Sequence, residues 1–386
     1  MLQNADEQIV QKFVEDEIAF GCENLAYPSA MIDRQIEIVC RLMKLDKGAR
    51  CRTLSGGQKQ RLITVSTLAM GQKIIILDEP LANLDKDGAA MLMGTLRSLA
   101  RAGYAIVVIE HRIDMVLPFV DTVWYIGKGK VKKAQDERQY LVGRTAKIED
   151  GCPAFEGGDA LFDLKDVKFS VKDREILKGV TLEIPKGGRT ILLGENGCGK
   201  TTLMRLIARL YKPTGGSIIQ HLDDKFKQRP RGSRAWFNRV GVVYQNPDYQ
   251  LFMPTVEQEL KFGAKSSEYA EHVAELFGIE HLWRRHPQSL SEGQKRRVSI
   301  AAVVACEPDV LLLDEPTVGQ DYEGLCKMVE TLNALHEQTG NTMITVTHDF
   351  RCAAALCDKA ALIDCGVVAE TGGKELVDKY FGSMQK

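Results

Sequence analysis

RTILLGENGCGKTTLMRLIARLY, residues 189–211, is the stretch that decides the fold. An apolar run breaks into a glycine-rich turn, and the chain then resumes with helical spacing of its apolar residues. Within it GENGCGKT, 194–201, fits the GxxxxGK[ST] phosphate-loop pattern in the strand-to-helix context that gives the pattern its weight. Gly194, Gly197 and Gly199 allow backbone amides to turn inward on phosphate oxygens, with Glu195, Asn196 and Cys198 completing the loop. Lys200 brings a cation to the β/γ oxygens. Thr201, followed by Thr202 at the helix start, offers its hydroxyl to Mg²⁺. The ligand expected from this pattern is a nucleotide polyphosphate with Mg²⁺.

Working outward, the sequence repeats itself. QNADEQIVQKFVEDEIAFG at 3–21 returns as QNPDYQLFMPTVEQELKFG at 245–263, an offset of 242 from Gln3 to Gln245. LSGGQKQR at 54–61 returns as LSEGQKRR at 290–297, and IIILDEP at 74–80 as VLLLDEP at 310–316, both offset by 236. An apolar run then delivers His111 in one copy and His348 in the other. A period of this length means two homologous units. The second unit has the phosphate loop and two strand-like runs ahead of its glutamine, and nothing comparable precedes Gln3. The expected division is an incomplete first unit over 1–135, a linker over 136–159 rich in charge and glycine, and a complete second unit over 160–386.

Each VLLLDEP-type run ends on two carboxylates, and a strand in a parallel sheet delivers its last residues into the ligand crevice. Asp314 is expected to hold Mg²⁺ and Glu315 to act as general base on water; Asp78 and Glu79 are the first-unit equivalents. In the LSGGQ stretch Ser55, Gly56, Gly57 and Gln58 suit an anion site of amides and a hydroxyl at a helix start.

Composition narrows the setting. Lys plus Arg number 51 against 52 for Asp plus Glu, so no net field draws the chain to nucleic acid or anionic lipid, and no nucleic-acid partner is expected. The ten cysteines lack metal-ligand spacing and read as reduced thiols. No run approaches the 18 or so apolar residues of a membrane helix, and the start has no signal core.

The ordered set of phosphate loop, glutamine, signature, Asp-Glu, aspartate and histidine resembles the ATP-binding-cassette ATPases along essentially the whole chain. The resemblance implies an α/β fold of the P-loop NTPase type, with a mostly parallel sheet and a helical signature subdomain, in two tandem units. It also implies that Gln245 senses Mg²⁺ and the lytic water, that Asp321 is the interface aspartate, and that His348 contacts the γ-phosphate. Gln3, Asp85 and His111 are the first-unit counterparts. In that family two units pair head to tail, within or between chains. One composite site is then expected, joining Lys200, Thr201, Gln245, Asp314, Glu315 and His348 to Ser55, Gly56, Gly57 and Gln58.

QNPDYQLF, VEDEIAFG and LSGGQKQR resemble the fused ATPase subunit of energy-coupling-factor importers for vitamins and transition-metal ions. That likeness implies an integral-membrane coupling subunit and a substrate-capture subunit as partners, at the cytoplasmic face of the cell membrane. Ile9, Val10, Leu251 and Phe252 could form the coupling surface or belong to the core. Judged from the length of the second unit ahead of Gln245, roughly eighty residues are expected to be missing before Gln3, so Met1 is expected not to be the natural start, and the family's sheet implies that such a remnant exposes apolar faces.

Three positions depart from the family pattern. Glu292 replaces a signature glycine and adds negative charge where a phosphate approaches. Val171 stands where an aromatic often stacks on adenine, leaving Phe169 or another residue to do so. Gln320 precedes Asp321 where a smaller residue or leucine is usual. Two other functions fit the motifs: a soluble tandem cassette protein acting on ribosomes or DNA, and an ATP-binding remnant without hydrolysis.

Overall fold

The computed structural model describes residues 8–81, 84, 86–110, 113–127, 130–134, 158–172, 174–222, 232–320 and 322–383. The chain divides into two compact units, Met1–Lys147 and Ile148–Lys386. Residues 136–157 of the expected linker lie outside the described residues, as do Gln3, Asp85, His111 and Asp321.

The centre of the second unit is built on three strands, residues 189–193, 310–314 and 342–346, that are buried throughout. Its six-stranded sheet takes β7 (Arg189–Leu193), β9 (Val240–Val243), β10 (Val310–Asp314), β11 (Thr342–Val346), β12 (Lys359–Asp364) and β13 (Val367–Gly372) in the order β13-β12-β7-β11-β10-β9. Every pairing is parallel except β12 with β13. Uninterrupted apolar runs such as VLLLD form the centre because both faces are covered. Leu311 and Leu313 pack into one core with the helices Val256–Lys261, Ser267–Leu276 and Glu292–Val304. Val310 and Leu312 point the other way, into a core shared with the antiparallel strands β5 (Ala160–Val171), β6 (Arg174–Pro185) and β8 (Gly215–Gln220) and the helix Lys200–Ile207.

The first unit repeats one of those layers. β1 (Ile74–Asp78) pairs in parallel with β2 (Ala105–Ile109), and Ile75 and Leu77 pack against the helices Val14–Asn24, Ser29–Leu42, Gly56–Ala69 and Lys86–Arg101. The opposite face, Ile74 and Ile76 with Val107 and Ile109, is exposed, as expected. A hairpin of β3 (Trp124–Gly127) and β4 (Lys130–Lys133) completes its strands among the described residues. Ile76 and Leu312 stand at the same place in the repeat, one exposed and one fully buried. Leu312→Ala should therefore cost about 2–5 kcal/mol and Ile76→Ala about 1 kcal/mol or less, read from urea unfolding of each variant.

A shared internal device confirms the repeat at the level of single atoms. In the first unit the buried Glu17 carboxylate accepts from the amides of Val10 and Gln11, at 3.0 and 2.7 Å. In the second, Glu259 accepts from Phe252 and Met253 at 3.0 and 2.8 Å. Burial raises the Glu259 carboxyl and the two amides oppose that rise. Ile9 and Leu251 join their cores, whereas Val10 and Phe252 face solvent.

Candidate functional site

β7 ends at Leu193 and the backbone enters the loop through three left-handed glycines, Gly194 (φ 141°), Gly197 (φ 84°) and Gly199 (φ 112°). Two of them also have no room for a side chain: a Cβ on Gly194 would lie 2.2 Å from the Ile363 carbonyl, and one on Gly199 2.5 Å from Leu177. The helix Lys200–Ile207 begins directly after, so its first amides open on the loop. Lys200 Nζ donates to the carbonyls of Gly194 (2.7 Å) and Glu195 (2.8 Å), and Cys198 Sγ lies 3.8 Å away.

Opposite the loop, β10 delivers its two carboxylates. Thr201 Oγ1 donates to Asp314 Oδ2 at 3.0 Å. Burial raises the Asp314 carboxyl, and the Thr201 hydroxyl opposes the rise. Glu315 takes a left-handed turn (φ 53°), its amide donating to the Val346 carbonyl at the end of β11 (2.9 Å). Glu79 repeats this in the first unit, with φ 45° and a 2.9 Å bond to Ile109. Such a conformation is strained for a residue with a Cβ, and both units keep it where the glutamate must leave its strand.

Glu315 is buried, and burial together with neighbouring Asp314 pushes its carboxyl up to about 8. Its Oε2 accepts from the His348 amide at 3.1 Å, while Oε1 is buried, 3.5 Å from His348 Nε2, and has no hydrogen-bond partner among the described residues. An orphaned buried acceptor of this kind fits a donor supplied by a ligand or a water. His348 Nε2 is hydrogen-bonded to Asn196 Oδ1 at 2.9 Å, tying the histidine to the loop.

One cavity of about 260 Å³ gathers Asn196, Gly197, Gly199, Lys200, Thr201 and Thr202 with Gln245, Asp314, Glu315 and His348. Gly194, Glu195 and Cys198 support it from the loop rather than line it. Arg174 and Ile176 of β6 also line it, and no motif marks them. Phe169 and Val171 do not: Phe169 has one face stacked on Tyr211, with ring centres 5.3 Å apart, and Val171 is exposed. A larger cavity, about 360 Å³, lies at the opposite strand ends near Asp309 and Asn341 and holds none of the motif residues.

The two signature helices start alike. Ser55 Oγ accepts from the Gln58 amide (3.3 Å) while Gln58 Oε1 accepts from the Ser55 amide (2.9 Å), and Ser291 and Gln294 do the same at 3.4 and 3.1 Å. Serine and glutamine thus form a capping box, leaving Gly56 and Gly57 on the first turn. Gln320 proves to be a brace, its amide donating to the Gly293 carbonyl at 2.7 Å. Glu292 packs beside Gly319, where a Cβ would lie 3.0 Å from the Glu292 side chain.

Cys198 gives a direct probe of the loop. Alkylation with N-ethylmaleimide should block Mg-ATP binding, ATP should protect, and Cys198→Ser should abolish the sensitivity. Stoichiometric labelling of Cys198 with binding intact would contradict the loop geometry.

Residues 4–82 and 177–318 match the family described as ABC transporter. A Bacillus subtilis (strain 168) protein provisionally named an HMP/thiamine import ATP-binding protein, YkoD, is 30% identical over 100% of this chain and 78% of its own. A Methanosarcina mazei protein, provisionally named an ABC transporter ATP-binding protein, is 29% identical over 98% of this chain and 75% of its own. Among solved structures, cbiO1 from Clostridium perfringens, described as part of the ABC transporter complex cbiONQ, covers 57% of this chain and 91% of its own. Its TM-score is 0.50 at 31% identity. A structure described as RNase-L Inhibitor covers 99% of this chain and 76% of its own with a TM-score of 0.68; at 22% identity this is likeness of fold.

Proposed function

Because the chain belongs to the ABC transporter family and carries its P-loop NTPase fold, we propose that it hydrolyses ATP to energise import through a membrane partner. The observation that carries the ATPase part is the meeting of Lys200, Thr201, Asp314, Glu315 and His348 in one cavity. Loop amides and Lys200 hold the β/γ phosphates. Thr201 and Asp314, side by side and both hard oxygen donors, would hold Mg²⁺ with Gln245 near it. The bound ion would neutralise phosphate charge. Glu315 Oε1 accepts the hydrogen bond of the attacking water and then its proton, a role its raised pKa suits. His348 is held by Asn196 and the Glu315 carboxylate at the γ-phosphate end. A signature turn of the Ser55–Gln58 type supplies amides to a nucleotide held by a paired cassette.

The transport part rests on surface chemistry and the names of relatives. Among the described residues no helix is long and apolar enough to cross a membrane, and in this reading a separate membrane subunit provides the passage. Tyr249, Phe252 and Phe262 are exposed close to Gln245 in sequence, and Val10 and Phe20 are exposed at the matching repeat positions of Phe252 and Phe262. Large apolar residues kept in solvent on both units suit a partner surface. The HMP/thiamine import and cbiONQ names of relatives fit the energy-coupling-factor class of importer, with a vitamin or a transition-metal ion as cargo and a peripheral position on the cytoplasmic face.

Co-sedimentation tests this part. The full chain, expressed in its own cells, should pellet with membranes, and Phe252→Asp combined with Phe262→Asp should release it while its ATPase activity persists. Recovery with ribosomes in place of membranes would contradict the transport reading.

A further inference from the structure

We propose that Arg296 is a positioning residue for the nucleotide site: its buried guanidinium ties the signature helix to the backbone of Gln245, so that helix and glutamine move as one body. This rests on the ATPase reading above and concerns a residue of the LSEGQKRR stretch to which the motif reading gave no role.

Arg296 sits on the first turns of the helix Glu292–Val304 and is only 1% exposed, among the largest fully buried side chains of the described residues. A guanidinium taken out of water is costly unless hydrogen-bonded, so its bonds identify its task. Nη1 donates to the Tyr244 carbonyl at 2.8 Å and Nη2 to the Gln245 carbonyl. These are consecutive carbonyls just past β9, where the sheet ladder has ended and a planar fork can take both.

The loop they belong to is braced as one piece. Gln250 closes it, Nε2 donating to the Val242 carbonyl (2.9 Å) and Oε1 accepting from the Tyr244 amide (2.8 Å). Lys295, next to Arg296, forms a 2.8 Å ion pair with Asp248, mostly shielded from solvent. One helical turn therefore grips both ends of 244–248. The loop runs on into Leu251 in the core and Phe252 in solvent, so a push on that surface reaches Gln245 through a braced segment.

The repeat supplies a control. Gln60 occupies the place of Arg296 in the first unit, equally buried, and its Nε2 donates to the Glu79 carbonyl at 3.4 Å. A signature helix of this fold packs with a neutral amide at that position, so burying a cation there is not demanded by packing.

The test uses the purified full chain with Arg296→Gln, Arg296→Lys, Gln245→Ala and the Arg296→Gln/Gln245→Ala pair. Arg296→Gln should lower kcat about tenfold and raise the Mg²⁺ needed for half-maximal turnover by a similar factor, with KM for ATP within about twofold. Gln245→Ala should do the same, and the pair should lose no more than either alone. Arg296→Lys should recover part of the loss, since an ammonium reaches one carbonyl and not both.

Wild-type kcat and Mg²⁺ dependence in Arg296→Gln, or losses that multiply in the pair, would overturn the inference. Absence of hydrolysis by the wild-type chain would instead count against the ATPase reading. Should the Arg296 variants not fold, hydrogen exchange on the wild-type chain decides. Amides of 244–250 and of 292–298 should slow together when Mg-ATP is added; slowing of one segment alone refutes the tether.

Discussion

Glu315→Gln should lower ATP turnover by about 10² to 10⁴ while Mg-ATP binding stays near wild type. Glutamine keeps the shape of the side chain and a carbonyl oxygen to accept from the His348 amide, but it cannot take a proton from water. Single-turnover hydrolysis beside equilibrium binding separates the two effects. Turnover unchanged in this variant would remove Glu315 from the reaction.

The same substitution has a second expected effect whose sign follows from burial. The folded chain holds the Glu315 proton up to about pH 8, whereas the unfolded chain releases it near the ordinary carboxylate value. Stability contributed by this group is therefore present at low pH and lost as pH rises between those two values. Glu315→Gln carries no charge to bury, so without nucleotide it should melt higher than wild type at pH 8, and the gap should narrow toward pH 5. A gap that widens as pH falls would contradict the buried, protonated state.

Lys200→Ala should weaken Mg-ATP binding by about two to three orders of magnitude and abolish measurable turnover. The ammonium sits among loop carbonyls at 2.7 and 2.8 Å, and no other side chain of the loop carries positive charge. Losing it leaves two carbonyls facing a triphosphate with only backbone amides in compensation. Circular dichroism should stay unchanged, because β7 and the helix Lys200–Ile207 are held by core residues such as Leu192 and Leu203 rather than by the cation. Binding within about twofold of wild type would mean that the loop does not grip phosphate.

Much of the site was legible because its chemistry is local in sequence. Gly194 to Thr202 specify their own turn, and the Asp314–Glu315 pair ends an unbroken apolar run of the kind that suits a strand buried in a parallel sheet. The repeat located Asp78 and Glu79 by register, and the structure gives Glu79 and Glu315 the same left-handed turn and the same cross-strand bond.

What could not be read depends on contacts between distant segments. Nothing near Arg296 in sequence says that it forks onto Tyr244 and Gln245, and Arg174 and Ile176 reach the cavity only because β6 packs over the loop. Adjacent apolar residues were equally obscure: Leu251 is buried in the core and Phe252 is exposed, and nothing in their residue types separates them. Phe169 was a reasonable substitute for an absent aromatic, until Tyr211, forty-two positions away, is seen to occupy one of its faces. Ile74 and Ile76 are exposed, whereas Val310 and Leu312 at the same places in the repeat pack into the core that β5 and β6 share.

Isothermal titration of the correctly folded full-length chain with ATP, with and without Mg²⁺, tests the central claim most directly. The account predicts saturable, magnesium-dependent binding of ATP that Lys200→Ala weakens by about two to three orders of magnitude. Heat changes indistinguishable from dilution in the presence of Mg²⁺ would contradict it.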